Sequence, residues 1–218
     1  MSEVMTCMPF EQLMNWVLEE KKTKGTVFGQ HRAYVAETDR KLNIFERNLE
    51  TPIGPAAGPH TQLTQNIVAS YYAGARFFEL KTVQKMDGAE LAACINRPCI
   101  LADDEGYNCE WSTELYVPQA MGEYIKAWFI LHVIAKEFDL GAQDGFQFNI
   151  SVGYDLAGIK EPKVNTFIDS MMEAKDTEIF KECKQWLLDN VDKIEKVTKE
   201  DIEAIPSDIC NSATISTL

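Results

Sequence analysis

The chain has no cluster of lysine and arginine, no Cys-x-x-Cys pair, no Gly-x-Gly-x-x-Gly run and no low-complexity or repeated segment. Each absence excludes something. Formal net charge is −13 and the isoelectric point is near 4.7. With no basic patch to offset that acidity, a nucleic-acid partner and an anionic membrane surface are both disfavoured. The missing glycine run removes the phosphate-binding fingerprint of a doubly wound dinucleotide domain. Met1 to Phe10 lacks the basic, apolar, small-residue order of an export signal. The most apolar stretch, 120–138, is interrupted by Glu123, Lys126, His132, Lys136 and Glu137, so it does not read as a bilayer span. A cytoplasmic protein with six reduced cysteines is expected. Cys94, Cys99 and Cys109 lie near one another, but their spacing fits no zinc or iron–sulfur pattern. His31, His60 and His132 do not form a ligand set either, so no metal site is expected.

What is present is enough for a real core: 218 residues, 45% hydrophobic and 10% aromatic. Residues 9–22 read as a helix, with Pro9 at its first turn and Phe10, Leu13, Met14, Val17 and Leu18 along one stripe. Residues 23–50 read as an irregular lead-in with a short strand at 42–45. From there the order is strand (52–57), helix (62–74), strand (76–82), long loop (84–117), helix (118–138), strand (145–152), a helical region from Pro162 that breaks at Asp176-Thr177 and resumes, and a last strand (208–216). Each connection is long enough for a crossover helix, which argues for parallel strands joined right-handedly. Both a doubly wound sheet and a β/α barrel fit this order. The expected division is an N-terminal helical and irregular extension, 1–48, followed by a β/α unit, 49–218.

In parallel β/α folds the chemistry sits at the C-terminal ends of strands. The first strand ends Ala56-Ala57-Gly58-Pro59-His60, small enough for a flat ring to lie against the backbone. A tight turn that needs small residues is the plainer reading. The second ends Glu79-Leu80-Lys81-Thr82; alternation puts Glu79 and Lys81 on one side. A lysine there stabilises negative charge developing on a ring or an enolate-like oxygen, or it simply faces solvent. Asn149, between Phe148 and Ile150, needs a partner in so apolar a run. That partner is a ligand edge or loop backbone, and Asn211 poses the same choice. In the long loop Asn108 presents donor and acceptor together, which suits the amide edge of a nitrogen heterocycle. Trp111 offers a cover for a ring, and loop packing is the alternative. His132 reads as a packing residue.

These strand ends resemble a known pattern. Thr51-Pro-Ile-Gly-Pro-Ala-Ala followed, one helix later, by Lys81-Thr82 is similar to the FMN barrels of dihydropyrimidine and dihydroorotate dehydrogenases. A nearer resemblance is to large bacterial proteins designated as candidate selenate reductase flavin/iron–sulfur subunits. It rests on Pro-Ala-Ala-Gly-Pro-His-Thr-Gln-Leu at 55–63, Glu-Leu-Lys-Thr-Val at 79–83, Glu-Trp-Ser-Thr-Glu at 110–114, Ser-Val-Gly-Tyr at 151–154 and Leu-x-Gly-Ile at 156–159. The resemblance implies a (β/α)8 TIM barrel of which this chain supplies the N-terminal half, about four parallel strands. It implies that Ala56, Ala57, Gly58, Lys81, Thr82, Asn149 and Asn211 contact FMN. Asn108, Glu110 and His60 would reach a substrate, with Lys81 and Asn108 catalytic. FAD, NADPH and iron–sulfur clusters would belong to the part beyond Leu218. Relatives carry a His-Gly-Cys-Pro segment there.

The resulting expectation is a fragment of a flavin-dependent, NAD(P)H-linked oxidoreductase. It would transfer hydride to or from a small pyrimidine- or purine-like heterocycle, and would be inactive and marginally stable without its C-terminal half or a partner subunit. The alternative is a non-catalytic assembly or electron-transfer subunit of a larger redox complex.

Overall fold

The computed structural model describes residues 6–37, 42–86, 90, 93, 99–101, 106–108 and 115–217. Helix α1, Phe10–Lys24, buries Phe10, Leu13, Met14 and Val17 and ends at Gly25, whose φ of 73° favours glycine. The expected strand near 42–45 is one arm of a hairpin, β1 (Leu42–Ile44) and β2 (Arg47–Leu49). Its two-residue turn puts Phe45 and Glu46 at φ 50° and 66°. That is the mirror-image turn whose twist matches a hairpin, made here without glycine.

Residues 52–57, expected as the first strand, lie in a segment, 51–57, that runs beside β3 (Phe77–Glu79) without forming a regular ladder. The carbonyls of Ile53 and Pro55 accept from Arg76, Phe77 and Glu79, and the prolines at 52, 55 and 59 cannot donate in return. At Gly54 the two chains are so close that a Cβ would overlap the Phe77 carbonyl. Helix α2 is Thr64–Tyr72. The expected long loop contains a small antiparallel hairpin, β4 (Cys99–Leu101) with β5 (Gly106–Asn108). Helix α3, Val117–Glu137, is apolar on almost every side and is buried accordingly. No described helix is long and apolar enough to cross a membrane.

Strand β6, Gln147–Tyr154, is followed by α4 (Leu156–Ile159), α5 (Pro162–Met172), α6 (Glu178–Asp189), α7 (Lys199–Glu203) and β7 (Cys210–Thr217). The Gly-Tyr-Asp-Leu turn is thus the cap of a short helix: Asp155 Oδ1 accepts from Gly158 N at 2.6 Å. Thr177 caps α6 as its residue type suggests, its hydroxyl accepting from Phe180 N.

Strands β3, β6 and β7 are parallel and lie side by side in chain order. Helix α3 packs against α2, α5 and α6. Its Trp128 stacks edge-on against Phe146 and Phe148, at 5.1 and 5.4 Å between centroids, so helices cover one face of the sheet. Phe78, Leu80, Phe148, Ile150 and Val152 are buried hydrophobics, whereas Glu79, Gln147, Asn149 and Ser151 alternate with them. Chain-order parallel strands with a helical and a polar face suit a curved β/α arc better than a doubly wound sheet. Among the described residues the arc does not close into a barrel.

One buried ion pair fastens the lower, N-terminal end of this sheet. Arg76 Nε meets Glu50 Oε2 at 2.6 Å with both side chains almost wholly buried. The remaining guanidinium donors reach the carbonyls of Tyr71, Ala75 and Leu140. The Ala142 amide donates to Glu50 Oε1. A Cβ at Gly141 or Gly145 would strike the Glu50 carboxylate, so these glycines serve close approach and not merely a helix exit.

His132 is buried against Trp128 and Phe146 at 4.5 and 5.0 Å, as a packing residue would be. Burial, with a smaller push from the Arg47 charge, lowers its pKa from the ordinary 6.5 to about 3. An unfolded histidine takes up its proton near pH 6.5, and the folded one does not until about pH 3. Between those values the unfolded state binds more protons, so stability falls as pH falls. His132→Phe should reduce the acid-side loss of denaturation free energy below pH 6.5 relative to the parent chain. Parallel urea titrations from neutral to acid pH check this, and superimposable pH profiles would refute it. Gly54→Ala should cost about 1–3 kcal/mol by forcing segment 51–57 off β3, read as a lower urea midpoint.

Candidate active site

The turn after segment 51–57 is built from its own hydroxyl. Thr61 Oγ1 accepts from Gly58 N at 3.1 Å and donates to Gly58 O at 3.0 Å, closing a short 3-10 turn over Pro59–Thr61. Ala56 and Ala57 are exposed, leaving their backbone open to an incoming flat group. Gly58 is buried, and a Cβ there would stand 2.7 Å from the His60 imidazole. Glycine therefore lets the exposed His60 ring fold back over the turn.

The tip of β3 lies alongside. Glu79 pairs with Asn149, yet Val83, four residues on, bridges to Val152, only three residues on. Leu80 N bonds Asn149 O and Val83 N bonds Ser151 O, so one extra residue is inserted between them. This is a β-bulge, a device that re-aims side chains beside functional sites. It breaks the simple alternation read from Glu79, and it is Thr82 that meets Ser151, Oγ to Oγ, at 3.0 Å. Lys81 sits in the bulge. Its amide donates to the Thr61 carbonyl and its own carbonyl accepts from Tyr124 Oη at 2.9 Å. The side chain is 1% exposed, so the lysine is not the solvent-facing residue that its type suggests.

Below the tip a polar row crosses all three strands. Asn149 Nδ2 donates to Glu79 Oε2 at 2.6 Å and to Thr214 Oγ1 at 2.9 Å. Both amide hydrogens are thereby engaged, and Oδ1 is the atom left to accept from a ligand. The partners of Asn149 are neighbouring strands, not loop backbone. Above it Gln84 is 4% exposed and its Oε1 has no partner.

The predicted residues do not all converge. Ala56, Ala57, Gly58, His60, Lys81 and Thr82 gather at the tip of β3, and Asn149 lies one layer lower on β6. Asn211 is elsewhere. It is the second residue of β7, inside another register shift, because Phe148 pairs with Cys210 while Ile150 pairs with Ala213. Its amide donates to the Phe45 carbonyl of the β1–β2 hairpin, at the opposite end of the sheet from the tips. It therefore fastens that hairpin from the N-terminal end of β7 instead of lying at a C-terminal strand tip. Asn108 belongs to β5, and its side chain lies outside the described residues, as do Glu110 and Trp111. Thr61, Gln84, Ser151 and Thr214 were not anticipated. Gln84, two residues after Thr82, and Ser151, two after Asn149, follow from strand alternation; nothing in the spacing of Thr61 and Thr214 marks them. Among the described residues, no group of three His, Cys, Asp or Glu side chains could hold a metal.

A family described as "Oxidoreductase YgfK, N-terminal TIM-barrel domain" matches residues 28–218. This chain belongs to that family. It is 44% identical over 190 residues to proteins of Escherichia coli K12 and O157:H7, each named YgfK and classed as a candidate oxidoreductase. The match covers 86% of this chain but only 18% of either relative, so the chain spans less than a fifth of the length of the proteins it resembles. No solved structure matches it. The YgfK family thus supplies the TIM-barrel class and the oxidoreductase class, and the matched range contains every strand tip described above.

The Glu79–Asn149–Thr214 row should behave as one energetic unit in this YgfK-type domain. Asn149→Leu and Glu79→Leu are each expected to destabilise, and the double variant should lose about 1 kcal/mol less than the sum. A double-mutant cycle by denaturant unfolding reads this directly, and strict additivity would dissolve the unit.

Proposed function

We propose that the chain is the first half of an FMN-binding β/α barrel in an NAD(P)H-linked cytoplasmic oxidoreductase acting on a small planar pyrimidine- or purine-like heterocycle. The observation that supports this best is Lys81: a buried lysine held in a bulge at a strand tip, its amide bonded to the carbonyl of Thr61, whose hydroxyl closes the turn at Gly58 beside the open Ala56 and Ala57. A lysine at a strand tip suits the edge of a flat anionic ring, and the small residues beside it leave room for one. The unpartnered Gln84 Oε1 is a further polar group suited to a ligand's N–H.

FMN, when bound, supplies hydride transfer at its N5 position. In this reading Ala56 and Ala57 expose backbone to the ring, and Gly58 with His60 forms the wall beside it. Lys81 faces the edge where negative charge accumulates. Asn149 offers Oδ1 to an N–H of the ring system. Thr82, locked to Ser151, fixes the height of the Lys81 bulge. Asn108 and Glu110 remain proposed substrate contacts from the loop after β3. Asn211 is not assigned to the flavin, because its amide serves the β1–β2 hairpin.

The half-barrel reading has its own support. Ile215 pairs with the buried Val152, yet it is 58% exposed. Further strands and a helix from the remainder of the protein, or from a partner subunit, would bury it. FAD, NADPH and iron–sulfur clusters are assigned to that remainder, as is any association with selenate reduction. The same exposed edge suits the second reading, an assembly subunit without its own chemistry.

Lys81→Ala in the full-length protein tests the assignment. Flavin bound per polypeptide, or its rate of reduction, should fall at least about tenfold, since one unit charge at a ring edge is worth more than about 1.4 kcal/mol in a buried site. Flavin content and turnover equal to the parent's would remove Lys81 from the site. A full-length protein free of flavin would leave the assembly reading standing.

A further inference from the structure

We propose that a second site lies at the other end of the sheet: the cavity beneath the β1–β2 turn binds a small planar organic cation of the amidinium or guanidinium type. The cavity measures about 210 Å³ and is lined by Glu46, Arg47, Trp128, His132, Asp144 and Phe146, among others. It opens at the N-terminal ends of β6 and β7, so it is separate from the strand tips and does not rest on the flavin assignment.

Three features define what would fit. The wall is aromatic, with Trp128 edge-on to Phe146 at 5.1 Å and to His132 at 4.5 Å. Such a wall favours a flat ligand, and its ring faces attract positive charge, as the Arg47 guanidinium 5.4 Å from the Trp128 centroid already shows. The rim is net negative. Asp208 is engaged by Arg47 at 2.9 Å. Asp144 has only a long 3.5 Å contact from Asn48, and Glu46 forms no ion pair among the described residues. Two carboxylates are thus available, and carboxylates match the forked N–H donors of an amidinium. Finally, His132 is 4% exposed and its Nε2 has no partner. Buried ring nitrogens are ordinarily satisfied, and an uncharged imidazole with its proton on Nδ1 leaves Nε2 to accept an N–H. A metal is the other cation class to consider, and the described residues offer no group of three metal-type side chains. The volume is below the range usual for drug-sized ligands, which limits the occupant to about ten non-hydrogen atoms.

Titration of the 218-residue chain with benzamidinium and with its uncharged isostere benzamide tests this by calorimetry, alongside nitrogen NMR of the three imidazoles. His132→Phe identifies the His132 signal by its loss. Saturable one-to-one binding of benzamidinium is expected, with benzamide at least about tenfold weaker. The Nε2 resonance of His132 should move while those of His31 and His60 stay still. Glu46→Gln combined with Asp144→Asn should weaken benzamidinium about tenfold, and both residues are exposed, so the fold should persist. The proposal is overturned by non-saturable uptake, by equal affinity for benzamide, by a stationary His132 resonance, or by an unchanged affinity in the charge-neutral variant.

Discussion

The pair formed by Glu50 and Arg76 holds together everything that positions the strand tips. It joins four stretches distant in sequence: the exit of the β1–β2 hairpin, the end of α2, the start of β3 and the loop that leads into β6. Two charges removed from water are expensive, and such a pair is weak evidence for stability. Its value is specificity, since guanidinium and carboxylate both find partners only when all four stretches are in place. The Arg76 guanidinium also lies 3.9 Å from the Tyr71 ring centroid, which fixes its plane. Glycines at 141 and 145 are the complementary requirement, because any side chain there would displace the carboxylate.

From that anchored end the sheet separates two environments. One face supplies large apolar rings and aliphatic chains to α3, which is therefore buried nearly all round. The other face is a polar lattice of Glu79, Asn149, Ser151, Thr82 and Thr214, linked across strands. A polar face is tolerable because each amide and hydroxyl finds a neighbour on the next strand. Two register shifts, one just past β3 at Lys81 and one in β7 at Asn211, interrupt the lattice. They make opposite use of the same device: the first lodges a buried lysine at the upper rim, the second turns an amide down to fasten the hairpin below.

Much of this was legible in the sequence. Helix α3 and strand β6 were placed to within about two residues, since apolar spacing, Pro118 and the glycines around 141–145 all mark the same boundaries. The Thr177 cap and the small-residue turn at 56–58 followed from residue type alone. Other features left no local trace. A strand rich in proline reads as regular from its apolar content, yet it cannot donate hydrogen bonds, so segment 51–57 is only half-paired. The β1–β2 turn uses Phe45 and Glu46 where turn chemistry predicts glycine or asparagine.

The sequence by itself determined the parallel β/α order, the acidic and unclustered surface charge, and the residue types that mark a family of oxidoreductase barrels, because these depend on local spacing and composition. Tertiary structure decided which way Lys81 and Asn211 face, that His132 is buried with one nitrogen unsatisfied, and that Glu50 and Arg76 meet at all. A one-residue bulge changes the facing of every residue after it, and an ion pair between residues 26 positions apart forms only once both strands are docked. Neither event has a local signature for a sequence to display.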